Sequence, residues 1–268
     1  MVSQERQQAE KEFYEHFYGD VWDKQDQLID ESIVPLNMLV YWRLVKEHIN
    51  ELKQRQSIIR VLDCGCGHGV LSVLLAKIGA EVISVDISFN SIKTLRRLAS
   101  VNGVDEQILT VIAALEALPF KDEYFDCIVG SRILHHVDLR YSGFELSCVL
   151  KTGSKGFFWE CTDKNLILRL ARNHIRRFVP LPKFGTKDEH PLTKDEIENL
   201  GIAFESPVRI VAAPFYFFSL ISQYLSHRYV ESMTKVGTRL DTLIEKCFPQ
   251  INRFSFHQIL VLKKRRDR

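Results

Sequence analysis

Three groups of residues in this 268-residue chain have types and spacings suited to chemistry. The first is Asp63-Cys-Gly65-Cys-Gly67-His-Gly69, directly after the apolar run Ile58-Ile-Arg-Val-Leu62. Glycines at alternate positions permit a tight turn and close approach of a ligand to the backbone, and a helix opening from such a turn aims its free N–H groups at an anion. A nucleotide or a carboxylate-bearing cofactor is expected there. The second is Asp86, which ends Glu81-Val-Ile-Ser-Val-Asp86. An acid about 20 residues beyond the first glycine is placed to pair both hydroxyls of a ribose. The third group is His135-His136, within Ser131-Arg-Ile-Leu-His-His-Val137, together with the distant Glu189-His190. An imidazole titrates near neutral pH, so His135, His136 and His190 are the candidate bases for an acceptor that must lose a proton, His135 ahead of the others. Support of the loop, or a cap on the next helix, is the alternative for one of the adjacent pair.

These groups need elements to position them. From residue 58 onward, β-rich runs at 58–63, 81–86, 108–113, 124–131 and 154–160 alternate with helical patterns at 69–79, 89–102 and 138–149. That alternation predicts a parallel, doubly wound sheet, with ligands at the carboxyl ends of its strands. Thr193-Lys-Asp-Glu196 has the form of a capping box and restarts a helix, and late strands are expected at about 207–213 and 255–263. Residues 3–56 read as helical, with Phe13, Phe17 and Val21 at intervals of four.

Glycine spacing separates the cofactor classes. A dinucleotide fingerprint, GxGxxG, counted from Gly65 would need a third glycine where Val70 stands; the chain reads GxGxG instead. Lys plus Arg at 36 against Asp plus Glu at 34 leaves a formal charge of +2, too balanced to suggest a nucleic-acid partner. The six cysteines show no paired CxxC spacing, so reduced thiols and no metal site are expected. The polar start MVSQERQQAEKEF lacks a signal-peptide core, so a cytoplasmic location is expected. Lys164 to Phe178 alternates apolar and basic residues in the manner of a helix on a membrane surface, and Ala212 to Leu225 is aromatic but too short to span a bilayer. Peripheral membrane contact is therefore part of the reading; oligomeric state is not readable.

Taken in order, VLDCGCGHG, VISVDIS, LEALPFKDEYFDCIVGSRILHHV and GFFWE cover roughly residues 58 to 161 and resemble the class I S-adenosylmethionine-dependent methyltransferases, in particular the broad small-molecule group. The resemblance implies a doubly wound, seven-stranded, mostly parallel sheet with helical cap insertions. Residues 1–56 would form a lead-in or lid, and 57–268 a methyltransferase domain with caps at about 162–190 and 214–253. The implied cofactor is S-adenosyl-L-methionine. Asp63, Gly65 and Gly67 would line its methionine and ribose portion, Asp86 would bind the ribose hydroxyls and Ile87 would pack on the adenine. Leu115 would offer its N–H to the ring, and Ser131 would face the methionine amine. One departure concerns Ala113-Ala114-Leu115-Glu116, where the family often reads Gly-Asp-Ala-Glu; the usual acid for the adenine amino group is absent. The implied reaction is O- or C-methylation of a small or lipid-like acceptor. Two alternatives stand beside it: a non-catalytic binder of the cofactor, and a protein or nucleic-acid methyltransferase, which Ser131-Arg-Ile-Leu134 disfavours because Asn/Asp-Pro-Pro-Tyr/Phe would be expected there.

Overall fold

Short apolar runs pair into one sheet in the computed structural model, which describes residues 4–21, 27–164, 189–219 and 230–265. The strands are β1 (Arg60–Cys64), β2 (Glu81–Asp86), β3 (Ile108–Ile112), β4 (Phe125–Ser131), β5 (Leu150–Cys161), β6 (Arg209–Ala212) and β7 (His257–Lys263). Their order across the sheet is β3-β2-β1-β4-β5-β7-β6. All pairs are parallel except those of β7, which runs antiparallel to both β5 and β6. This is the doubly wound, mostly parallel architecture expected from the alternating pattern.

The described helices are α1 (Gln4–Val21), α2 (Leu39–Lys53), α3 (Val70–Lys77), α4 (Phe89–Val101), α5 (Leu139–Val149), α6 (Lys194–Ala203) and α7 (Val230–Cys247). Period-two alternation sends the strand side chains into two cores. Val61, Cys127, Val129, Ile259 and Val261 pack with Tyr41, Val45 and Ile49 of α2 and with α3 and α4. Leu62, Ile128, Phe158, Leu260 and Leu262 face α5 and α6 through Leu146, Ile197 and Leu200. Burial on both faces explains why the runs read as nearly continuous apolar stretches.

The chain starts at β1, steps outward to β3, then returns to lay β4 on the other side of β1. That reversal opens a crevice at the carboxyl ends of β1 and β4, the usual ligand site of such sheets. The capping box is present: Thr193 accepts from the Glu196 N–H, while Glu196 returns to the Thr193 N–H. Two expectations need adjustment. Residues 31–38 are two 3-10 turns, Glu31–Ile33 and Leu36–Met38, separated by a proline whose missing N–H prevents one continuous helix. Strand β5 begins at Leu150, earlier than expected, with a register shift opposite Phe125 to Cys127. The basic stretch 165–178 and residues 220–225 of the aromatic stretch lie outside the described residues. Among the described residues, no helix is long and apolar enough to cross a membrane.

Candidate active site

At the crevice, Gly65, Gly67 and Gly69 take φ of 61°, 51° and 88°, so the turn uses glycine for its backbone conformation. At Gly65 a side chain would also collide with Ile133, whose Cδ1 lies 2.4 Å from where a Cβ would stand. The Asp86 carboxylate accepts from Gly67 N–H and Ser88 N–H, both at 2.9 Å, and so ties the end of β2 to the glycine turn. Each of its oxygens keeps acceptor capacity for a further donor. Burial raises the Asp86 pKa, against the lowering effect of those N–H groups.

Asp63 lies beneath the turn, buried, with Ser72 Oγ donating to it at 2.5 Å and Ser84 Oγ donating to Ser72 at 2.9 Å. Burial pushes its carboxyl up to about 7, only partly offset by Ser72. Ala113 N–H donates to Asp86 O at 3.1 Å, which brings the loop carrying Ala114 and the buried Leu115 beside Asp86 and the half-buried Ile87. Ser131 ends β4 in register with Trp159 of β5. The cofactor candidates thus converge on one crevice. Glu116 is turned toward α5, where its Oε1 accepts from the Asp138 N–H at 3.0 Å.

The histidines behave differently from one another. Glu160, fully buried at the end of β5, accepts from the N–H groups of Ile133 and Leu134 at 2.8 Å on one oxygen and from His135 Nδ1 at 2.7 Å on the other. His135 Nε2 lies 3.5 Å from Glu189 Oε1. Burial disfavours its charge, but hydrogen bonds and charges from Glu160 and Glu189 outweigh that and push the imidazole up to about 9. His135 is therefore an imidazolium at neutral pH. His136 packs against it, with ring centroids 4.1 Å apart, and places Nδ1 3.2 Å from Glu10 and 3.8 Å from Glu189. The contact with Glu10 lacks the alignment of a hydrogen bond. His190 is not brought here. Its ring is half-exposed and lies 3.1 Å from Glu196, at the entry of α6.

α1 closes the crevice from above. Glu15 accepts from Phe89 N–H and Asn90 N–H at 2.7 and 3.0 Å, at the start of α4. Next to it, Tyr14 Oη lies 3.1 Å from His136 Nε2, and nearer the start of the helix Arg6 donates to His135 O at 3.1 Å. One helix therefore touches both the entry of α4, which follows Asp86, and the histidine pair.

Residues 62–158 match the family model described as a methyltransferase domain. Residues 62–158 form a methyltransferase domain of the class I S-adenosylmethionine-dependent kind. This methyltransferase is 27% identical to the ubiquinone biosynthesis O-methyltransferase of Sinorhizobium medicae, over 80% of this chain and 88% of that protein. It is 29% identical to the mitochondrial ubiquinone biosynthesis O-methyltransferase of Homo sapiens, over 59% of this chain but only 45% of that protein. Geranyl diphosphate C-methyltransferase from Streptomyces coelicolor A3(2), solved with Mg2+, geranyl diphosphate and S-adenosyl-L-homocysteine, shares the fold with a TM-score of 0.54 at 14% identity, over the whole of both chains. The cofactor of the methyltransferase is S-adenosylmethionine.

Sequence reasoning missed Glu10, Glu160 and Glu189 as members of the histidine cluster. Glu189 was in view only as the neighbour of His190, and nothing in the linear order places it or Glu10 next to residue 135. One ligand atom each from His135, His136 and Glu189 lie within 4.8 Å of one another. The linear spacing does not display that meeting. The cysteines of the crevice, Cys64, Cys66 and Cys127, are free and buried. Burial holds their thiols well above the ordinary range, which leaves them unreactive.

Proposed function

We propose that this methyltransferase O-methylates a small, lipid-like hydroxylic acceptor. The observation that carries the reading is the buried His135–Glu160–Glu189 array beside the end of β4. In this reading the acceptor oxygen attacks the sulfonium methyl in line. An O–C bond forms as the S–C bond breaks, S-adenosylhomocysteine leaves, and the hydroxyl proton passes to the Glu189 carboxylate. His135, a cation held by Glu160, stabilises the developing oxyanion as a preorganised charge in a dry site. Positioning of the two reactants supplies much of the remaining acceleration.

Two further features support the acceptor class. The full-length relative is named for ubiquinone biosynthesis O-methylation. The segment Ala213-Pro-Phe-Tyr-Phe-Phe218 also lines the neighbouring region with rings, Tyr216 lying 5.5 Å from His257. Buried Asp241 of α7 pins that segment by accepting from the N–H groups of Phe217, Phe218 and Ser219. The test is a turnover comparison with S-adenosylmethionine and a catechol carrying a short isoprenoid chain, its bare catechol parent, and an amine of equal size. Turnover should rank in that order; preferred turnover of the amine would overturn the reading.

The same reading assigns the cofactor contacts: Asp86 to the ribose hydroxyls, Gly65 and Gly67 to the methionine and ribose portion with Asp63 bracing them, Ile87 and Leu115 to the adenine, and Ser131 to the amine. α1 acts as the lid. With Ala114 where an acid would meet the adenine amino group and Glu116 engaged elsewhere, cofactor affinity is expected to be submaximal. Ala114→Asp should tighten S-adenosylhomocysteine about tenfold or more in titration calorimetry, the effect of one charged hydrogen bond worth about 1.5–3 kcal/mol. An unchanged Kd would mean that residue 114 does not face the adenine amino group.

A further inference from the structure

Next to the crevice, but not used by the chemistry above, Arg132 sits at the end of β4 with φ of 55°. A non-glycine residue holds that conformation only where its surroundings impose it, and such residues gather at functional sites. Here the imposing contact is Arg132 N–H donating to Trp159 O at 2.8 Å. The turn places the guanidinium 5.9 Å from the centre of the Trp159 indole, while the residue stays exposed. Arg132 forms no ion pair with a described residue.

Close to it, Trp159 Nε1 and His257 Nδ1 are buried, in residues 4% and 6% exposed, and have no hydrogen-bond partner among the described residues. His257 stacks on Trp159 with ring centroids 4.0 Å apart and planes 16° apart. An indole N–H can only donate, so it is satisfied only by an acceptor atom. His257 and His68 are both held neutral, chiefly by burial and then by the charge of Arg132, so its field reaches both rings. The buried carboxylate next to Trp159, Glu160, is taken by Ile133, Leu134 and His135. The corner is rich in donors and holds one unmatched cation.

We propose that Arg132, with Trp159 Nε1, forms a carboxylate-binding subsite of the active site. A guanidinium fork suits the two oxygens of a carboxylate better than any neutral group does. The carboxylate has two possible sources: the amino-acid end of the cofactor, which the placing of Ser131 next to Arg132 favours, or an acid group on the acceptor. The cofactor arm rests only on the cofactor assignment, whereas the acceptor arm rests on the O-methylation reading.

Calorimetric titration of wild type and Arg132→Gln with two matched pairs separates the sources. One pair is S-adenosylhomocysteine and 5′-methylthioadenosine, which lacks the amino-acid end. The other is 3,4-dihydroxybenzoate and catechol, each titrated in saturating S-adenosylhomocysteine. Loss of one charged hydrogen-bond partner should weaken the carboxylate member of one pair about 10- to 100-fold and leave its carboxylate-free partner within about twofold. Loss on S-adenosylhomocysteine assigns the subsite to the cofactor, and loss on dihydroxybenzoate assigns it to the acceptor. Arg132→Lys should recover part of the loss, because it keeps the charge without the fork. Trp159→Phe, which keeps the stack on His257 and removes only the N–H, should weaken the same ligand by a smaller factor and serves if Arg132→Gln does not fold. Equal losses within both pairs, or no loss in either, would overturn the proposal.

Discussion

Asp86→Ala should weaken S-adenosylhomocysteine by about 100-fold or more, because it removes a carboxylate proposed to accept from two ribose hydroxyls, each such charged bond being worth about 1.5–3 kcal/mol. The substitution acts twice. In the free protein the same carboxylate holds Gly67 N–H and Ser88 N–H, so alanine also deprives the glycine turn and the entry of α4 of their acceptor. A thermal scan without ligand should therefore show a lower Tm for Asp86→Ala, and the stabilisation that wild type gains from S-adenosylhomocysteine should largely vanish. Asp86→Asn separates the two effects, since its amide oxygen can still accept one backbone N–H while the charge is lost. NAD should stabilise neither protein. Strong stabilisation of wild type by NAD, or an undiminished shift in Asp86→Ala, would overturn the role given to Asp86. The raised pKa adds a pH signature: as pH falls toward it, protonation removes acceptor capacity and affinity should drop.

The cofactor half of the site was legible in the sequence because its determinants are local. Glycine at 65, 67 and 69 and the acid at 86 stand on turns that follow directly from strands, and parallel pairing of β1 with β2 brings Cys64 opposite Val85, one residue short of Asp86. Periodicity gave the strands for a similar reason, since the central ones are buried on both faces and bounded by turn residues. The acceptor half was not legible. Its charge cluster joins residue 10 of α1, residues 135 and 136 after β4, residue 160 of β5 and residue 189 before α6, and no short-range pattern records that meeting. A histidine reads from sequence as a group that titrates near neutral pH. Two carboxylates from distant strands and loops decide otherwise, and His190, equally plausible in the linear reading, is spent on the entry of α6.

His135→Gln should lower kcat by about 10²–10³ with little change in S-adenosylhomocysteine affinity, the usual cost of removing one preorganised charge from a developing oxyanion. The pH profile distinguishes how His135 acts. Held as an imidazolium up to about pH 9, it cannot take a proton at neutral pH. If it acts as the cation, the wild-type rate should fall as pH rises through about 9, and His135→Gln should lack that limb. If it were the base, the rate would climb across the same range. Glu189→Gln should lower the rate at all pH values and move the limb to lower pH, because one of the two carboxylates holding the proton is gone. Stability provides an independent reading of the same proton. The folded pKa of about 9 exceeds the unfolded value of about 6.5, so the stabilising contribution is whole below about pH 6.5 and is lost as pH rises through about 9. At most this is on the order of 3–4 kcal/mol. The wild-type Tm should decline across that window and the Tm of His135→Gln should decline less. A glutamine that keeps full turnover and an unchanged profile would leave His135 as a brace for the β4–α5 loop, and the search for the oxyanion partner would move to His136 and Glu189.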